Sequence, residues 1–355
     1  MVMKKYTKHL LPVVLSGLMS LISTSASAGN PQRAGQAGAQ QLLINPWAKS
    51  AGWGGVNIAN VEGVEATFLN VAGLASTTST EFSFSNTQWF GDININAFGF
   101  AQKVGDTGVL GITVTAFDFG DITRTTEDLP DGTLGTYTPS MLNIGLSYAK
   151  KFTDNISGGV TARIISESTP DMSATGFSLD AGVQYTAGEQ RQMKFGISIK
   201  NVGPVMKYEG DGDDLRLPNV YTDGQQYEQT FETRAAEFEL PSLLNIGVSY
   251  DFLMEDHRVT TAGSFTSNSF TKDNFTLGAE YGYKSYLALR VGYMIEEGIF
   301  NEYTEGRTTA FTGLNGGVTF ELPIGEGGKS FALDYAYRAA DPLSSPHSIG
   351  ARFNL

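Results

Sequence analysis

The sequence predicts an all-β fold, a fourteen-stranded antiparallel transmembrane β-barrel closed around a small N-terminal plug. Three features predict it: an export leader, a period-two alternation that runs from Thr80 to the last residue, and connections that alternate between short and long. The division that follows is 1–28 for the leader, 29–79 for the plug and 80–355 for the barrel.

The leader comes first. Lys4, Lys5, Lys8 and His9 precede a mostly apolar run from Leu10 to Ile22, and Ala26-Ser27-Ala28 offers a small-x-small cleavage site before Gly29. Basic, apolar and small residues in that order make a secretory signal. The apolar run is about thirteen residues, where a spanning helix needs roughly twenty, so a retained anchor is the weaker alternative. The chain has no cysteine, which excludes a lipoprotein anchor and a disulfide framework.

Composition bounds the rest. Hydrophobic residues make up 41% of the chain, and no later segment reaches the length of a spanning helix. Transmembrane barrels escape hydropathy scans because lipid-facing and lumen-facing residues alternate along each strand. Loss of the leader removes three of the 24 basic residues and none of the 37 acidic ones, so the mature charge is −16. Phosphates would be repelled by such a protein, which argues against a nucleic-acid partner.

The alternation is direct to read. Met193, Phe195, Ile197 and Ile199 interleave with Lys194, Gly196, Ser198 and Lys200, and Phe331, Leu333, Tyr335 and Tyr337 interleave with Ala332, Asp334, Ala336 and Arg338. Successive strand side chains point to opposite faces, so each run has one apolar and one polar face. Strands are expected at 80–89, 92–104, 108–120, 140–152, 156–168, 174–187 and 192–203, then at 242–253, 257–268, 273–283, 286–297, 312–323, 329–340 and 346–355. Each is long enough to cross a bilayer on a tilt.

Loop lengths give an independent test. With the N-terminus placed in the periplasm, the connections after even strands, such as Gly105-Asp106-Thr107 and Lys284-Ser285, are short and periplasmic. The long ones, 121–139, 204–241 and 298–311, all follow odd strands and face outside. Outer-membrane barrels sort their loops this way, and a β-sandwich has no reason to. Phe100, Tyr148, Tyr185, Tyr250, Tyr283, Phe320 and Phe353 would then sit at one level near the periplasmic interface, as an aromatic girdle does.

One internal echo relates Pro139-Ser140-Met141-Leu142-Asn143-Ile144-Gly145-Leu146-Ser147-Tyr148 to Pro241-Ser242-Leu243-Leu244-Asn245-Ile246-Gly247-Val248-Ser249-Tyr250. Both open a strand after a long outer loop, so duplication and shared local demands explain them equally.

Residues 29–79 do not alternate. They are too many for a tail and too few for a large domain, so a plug in the lumen is the simplest placement, with a periplasmic extension as the alternative. Gly52-Trp53-Gly54-Gly55 lacks the lysine of a nucleotide loop and reads as close backbone packing.

Catalysis finds no support. His9 leaves with the leader, while His257 and His347 fall at opposite ends of the barrel and cannot share a site. No enzyme activity and no cofactor are expected. The loop 204–241 is acidic, and Asp211, Asp213 and Asp214 could offer oxygens to calcium. The full twelve-residue EF-hand loop is missing, so a solvated acidic loop is the expectation and no metal site is assigned. With Tyr208, Tyr221, Tyr227 and Phe231 it forms the candidate partner-binding loop, since aromatic side chains supply contact energy in long surface loops.

Two resemblances add to this reading. Ser348-Ile349-Gly350-Ala351-Arg352-Phe353-Asn354-Leu355 resembles the C-terminal signal of bacterial outer-membrane proteins, with Ser348, Gly350, Phe353 and Leu355 at its defining positions. The resemblance implies recognition by the barrel assembly machinery and insertion among outer-membrane lipid. Ala-Gly-Ala-x-x-Leu-Leu-Ile at 37–44, Trp47-Ala48-Lys49-Ser50-Ala51-Gly52-Trp53-Gly54-Gly55 and Asn70-Val71-Ala72-Gly73-Leu74-Ala75 resemble the PorV/PorQ family within the FadL-like barrel superfamily. Asn70, Ala72, Gly73 and Leu74 carry the plug motif, while Val71 replaces the usual proline and Lys49 stands where arginine is common. The family implies a role in the type IX secretion system of Bacteroidetes-type bacteria, with the large translocon subunit or the C-terminal domains of cargo as partners. The alternative is a FadL-like transporter of hydrophobic small molecules. The polar inward faces of the strands argue against an apolar lumen, and a plug would obstruct a general porin.

Overall fold

The computed structural model describes residues 29–132, 134–218, 228–302, 307–325 and 328–355; the expected leader, 1–28, lies outside them. Eighteen strands are present among these residues. In the first half they are β1 (Thr80–Gln88), β2 (Asn94–Val104), β3 (Gly108–Asp118), β4 (Ile122–Thr123), β5 (Thr136–Tyr137), β6 (Ser140–Lys151), β7 (Ile156–Ser168), β8 (Ser173–Ala187) and β9 (Met193–Val202). Then follow β10 (Leu215–Pro218), β11 (Glu228–Phe231), β12 (Leu243–Met254), β13 (His257–Asn268), β14 (Asn274–Tyr283), β15 (Leu287–Glu296), β16 (Phe311–Pro323), β17 (Ser330–Ala340) and β18 (His347–Asn354).

Fourteen of them close into one antiparallel barrel, with β3 beside β6, β9 beside β12, and β18 returning to β1. The wall-strand limits lie within two residues of the sequence expectation. Alternation did not reveal the two hairpins that stand apart from the wall, β4–β5 and β10–β11, because both lie in segments too short for a periodic signal.

The wall wears its apolar face outward. Ile144 and Leu146 of β6, Ile197 of β9 and Ile349 of β18 are exposed, while their neighbours Asn143, Ser147, Ser198 and Ser348 are buried. An apolar belt this wide would not persist against water, and lipid is the solvent it fits. No helix among the described residues is long and apolar enough to cross a membrane; the strands do so. Inside, polar side chains satisfy one another across the strands, as in Ser147–Thr161 at 2.8 Å and Thr87–Ser348 at 2.7 Å.

Residues 29–79 occupy the lumen as short helical turns, among them Ala48–Ala51, Ala66–Leu69 and Val71–Ser76. Their apolar side chains, including Trp47, Val64 and Leu74, pack with Ala97, Ala101 and Val109 of the wall. Inward-facing glycines let the plug approach. A side chain at Gly99 would strike Val64 and Trp47, one at Gly111 would strike Leu74, and one at Gly196 would meet the Ile58 carbonyl. Gly182 leaves room for Asn70, and Gly292 for the backbone of Trp53. Glycine is the one residue whose missing Cβ allows such backbone proximity.

Charges then clasp plug to wall. Glu81 of β1 accepts from the Val64 amide at 3.1 Å, while within the plug Glu65 accepts from the Ser50 amide and hydroxyl at 3.1 and 2.5 Å. In the wall nearby, Glu280 pairs with Arg290 and Arg258, each at 2.5 Å, and Asp334 pairs with Arg352 at 2.8 Å.

One expectation is corrected. The end that carries the long loops, hereafter the outer end, holds residue 29: the Gly29 amide donates to Asp273 in the β13–β14 connection at 2.5 Å. The first strand does start at the short-turn end, but the plug runs the length of the lumen, so the segment before it begins at the long-loop end. Loop parity reports where strands start and is blind to what precedes them.

Candidate functional site

The lumen is divided by the plug. On the short-turn side lies a cavity of about 280 Å³ lined by charges, among them Lys49, Glu62, Glu65, Glu280, Arg290 and Arg352. Burial raises the Glu65 carboxyl above its ordinary value, a shift opposed chiefly by the charge of Lys49. On the long-loop side, about 310 Å³ remain beside Phe68, Lys200, Leu243 and Met294, reaching Thr271 and Lys272 of the β13–β14 connection. Lys200 is buried with its ammonium 3.6 Å from the centre of the Phe68 ring.

Across the plug from that cavity, against β1, β3, β6 and β7 at the outer end, lies a vestibule of about 500 Å³. Trp89, Ile93, Phe117, Phe119 and Met141 line it from the upper wall and its turns. Ala37, Ala39 and Ile44 of the plug line it from the lumen side, and Phe238 of the long loop closes it laterally. Three distant segments are tied together to make it. The Gly38 amide donates to the Glu239 carbonyl at 3.1 Å, and Met206 and Phe238 exchange backbone hydrogen bonds at 2.8 and 2.9 Å. Gly38 presses so closely on the Phe238 ring that no Cβ fits between them.

One polar cluster interrupts this apolar vestibule. Glu167, near the outer end of β7, is 4% exposed. Gln41 donates to one of its oxygens at 2.7 Å and the Tyr208 hydroxyl donates to the other. Burial raises the Tyr208 phenol above its usual range, and the adjacent carboxylate raises it further.

The residues singled out in the sequence fall into separate places. Asn70, Ala72, Gly73 and Leu74 are buried in the plug; Asn70 accepts from the Ala72 amide at 3.2 Å and donates to the carbonyls of Ile58 and Val183, both at 3.1 Å. Tyr208 faces the vestibule, whereas Asp211 and Phe231 are exposed and Asp213 and Asp214 half-buried. Tyr221 and Tyr227 lie outside the described residues. Among the described residues no cluster of His, Asp and Glu converges on a metal position. Ser348 is buried, and Gly350 faces Ala48 of the plug, while Phe353 and Leu355 point outward. His257 and His347 each meet a tyrosine hydroxyl, Tyr281 at 2.8 Å and Tyr335 at 2.7 Å, at opposite ends of the wall.

Sequence reasoning missed Gln41, Glu167 and the aromatic rim. It read the lumen from inward strand positions alone, whereas the apolar surface comes from plug, turns and loop. An acid at an inward strand position beside Ile165, itself fully buried, was the one available signal.

The sequence matches no family model and no curated protein. The fold, by contrast, has clear counterparts. The CymD monoaromatic hydrocarbon channel superposes with a TM-score of 0.54 at 15% identity, covering 88% of this chain and 97% of that one. The toluene transporter TbuX of Ralstonia pickettii gives 0.53 at 14% identity, covering 87% and 98%. A FadL homologue of Pseudomonas aeruginosa gives 0.51 at 10% identity, covering 88% and 98%. The chain has the FadL-like barrel fold. Identities this low establish architecture and leave the activity to the site.

Proposed function

We propose that this barrel is an outer-membrane transporter that takes up hydrophobic small molecules through the outer vestibule. The observation that carries the reading is the vestibule itself, an apolar cavity of about 500 Å³ at the open end of a plugged, FadL-like barrel. Pockets of this size bury most of the surface of a small ligand, and apolar linings favour apolar cargo. The polar wall, which in the sequence argued against such a pocket, is covered where it matters by Ala37, Ala39 and Phe238. Structures of similar fold include proteins described as hydrocarbon channels and toluene transporters. The test is to fill the site: Ala37→Trp should abolish uptake of a hydrophobic dye by proteoliposomes while the barrel still assembles. Unchanged uptake would retire the reading.

A second reading, a type IX secretion component of the PorV/PorQ kind, rests on a different feature. The β10–β11 hairpin stands off the barrel with Leu215, Leu217 and Phe231 exposed, a surface suited to a translocon subunit or the C-terminal domain of cargo. Replacing 210–236 by a short linker spares Tyr208 and Phe238 of the vestibule. Under this reading the change strands exported proteins in the periplasm, and under the first it leaves dye uptake intact. The C-terminal positions Ser348, Gly350, Phe353 and Leu355 serve recognition by the barrel assembly machinery in either case.

A further inference from the structure

The vestibule holds one feature that a carrier of plain hydrocarbons does not need. Glu167 is almost wholly buried, both its oxygens accept hydrogen bonds, and both donors, Gln41 and Tyr208, are neutral. Among the described residues no ion pair reaches it. The basic residue two positions further along the same strand face, Arg163, is committed to Asp180 at 2.9 Å and to Asn201 at 3.2 Å. Arg338 lies behind Trp89, its guanidinium 5.4 Å from that ring and 4.0 Å from Phe311, and opens toward the cavity beside Phe68 and Lys200 instead. A carboxyl buried without a charged partner is costly to ionise, and a cation placed beside it offsets that cost.

We propose that the vestibule is a site for hydrophobic amines, molecules with an apolar body and an ammonium head that pairs with Glu167. This rests on the transporter reading and narrows its cargo. Two further observations agree. Each carboxylate oxygen has a second lone pair, so an ammonium adds to the existing hydrogen bonds without displacing them. Trp89, Phe117, Phe119 and Phe238 supply ring faces, which attract cations as well as apolar groups. The outer loops also select for cations before the site is reached: the segment 204–241 carries nine acidic residues against three basic ones, and 121–139 carries Asp121, Glu127, Asp128 and Asp131 against Arg124. A field of one sign concentrates the opposite charge at the mouth. A carboxylate-headed amphiphile would instead set its head against Glu167.

The experiment uses three probes of one shape, 4-phenylbutylammonium, 4-phenylbutanol and 4-phenylbutyrate, titrated at neutral pH into the full mature chain in lipid nanodiscs, with empty nanodiscs subtracted. Trp89 fluorescence reports occupancy, and Trp89→Phe identifies its share of the signal. The expected order is ammonium, alcohol, carboxylate, with at least a tenfold gap between the first and last. Glu167→Gln should bring the ammonium down to the alcohol, and Tyr208→Phe, which keeps the carboxylate, should preserve the order. Binding without that order, or an order unmoved by Glu167→Gln in a barrel that still shows heat-modifiable migration, overturns the amine assignment and leaves the transporter reading standing. Failure of all three probes to bind the wild type removes both.

Discussion

The two ends of the lumen are enclosed by the same fourteen strands and are built to opposite purposes. Toward the short turns the plug is pressed against glycines and ringed by ion pairs, with Glu280, Arg290, Asp334 and Arg352 all nearly inaccessible. Toward the long loops the plug narrows to residues 35–44, including the short turn Gln40–Leu43, and an apolar space remains. The wall alternates in the same way throughout, so it does not set the difference. What fills the lumen does: a β-barrel fixes diameter and polarity period, and the segment threaded through it decides where there is solid and where there is room.

The sharpest way to break this contrast is at the plug contact. Gly73→Val would drive a side chain into the Val61 carbonyl, and Gly182→Val would drive one into Asn70. The Val61 carbonyl is backbone, and Asn70 cannot swing aside without losing its hydrogen bonds, so each variant should lose about 3 kcal/mol or more, the upper range for overpacking. Accumulation of unassembled chain, or protease cleavage within 45–79, would report it; a barrel of wild-type heat resistance would contradict it.

Charges test the same contrast at smaller scale. Glu280→Gln leaves Arg290 and Arg258 without their shared carboxylate, and breaking a buried pair costs about 3–5 kcal/mol. Half of Arg258 is open to solvent, which places the loss toward the lower figure. Asp256→Asn removes the exposed Lys284 pair at 3.5 Å and should change stability by less than about 0.5 kcal/mol. Urea unfolding from lipid vesicles compares the two, and equal effects would deny that the inner half is electrostatically closed.

The smallest effect concerns pH. Glu65 binds its proton more tightly when the plug is docked than when it is free, so docking is favoured below the ordinary carboxylate value. That advantage is lost as pH rises from there through the raised value in the docked plug. Hydrogen exchange of the 45–79 amides should therefore quicken across that window, and Glu65→Gln should flatten the dependence. A wild-type exchange profile without that step would remove Glu65 from the account.

Much of this architecture was legible in the sequence, for a physical reason. Where one face of a strand meets lipid and the other a packed lumen, as at Ile197 and Ser198, each residue announces its side, and the pattern spans every wall strand. It fails at Lys200 and Asn201, consecutive residues that are both buried, because a bulge between β8 and β9 lets two positions oppose one. The vestibule was not legible for a different reason. Gln41, Glu167, Tyr208 and Phe238 meet only through tertiary contacts between three segments, and no local period marks them. The acidic loop was noticed for its composition, yet its members divide between vestibule, open hairpin and solvent. The resemblance to PorV/PorQ drew attention to the plug, where Asn70 donates to the Ile58 and Val183 carbonyls and Gly73 lies against the Val61 carbonyl.

The route of residues 29–79 also ties the plug to the closure of the ring. They enter among the long loops and leave at the opposite mouth to become β1, whose other edge meets β18. In the closed ring this segment, with Trp47 and Trp53, fits against wall glycines such as Gly99, Gly278 and Gly292 that leave no room for a Cβ. Pairing of β1 with β18 at the seam is what seals residues 29–79 within the ring.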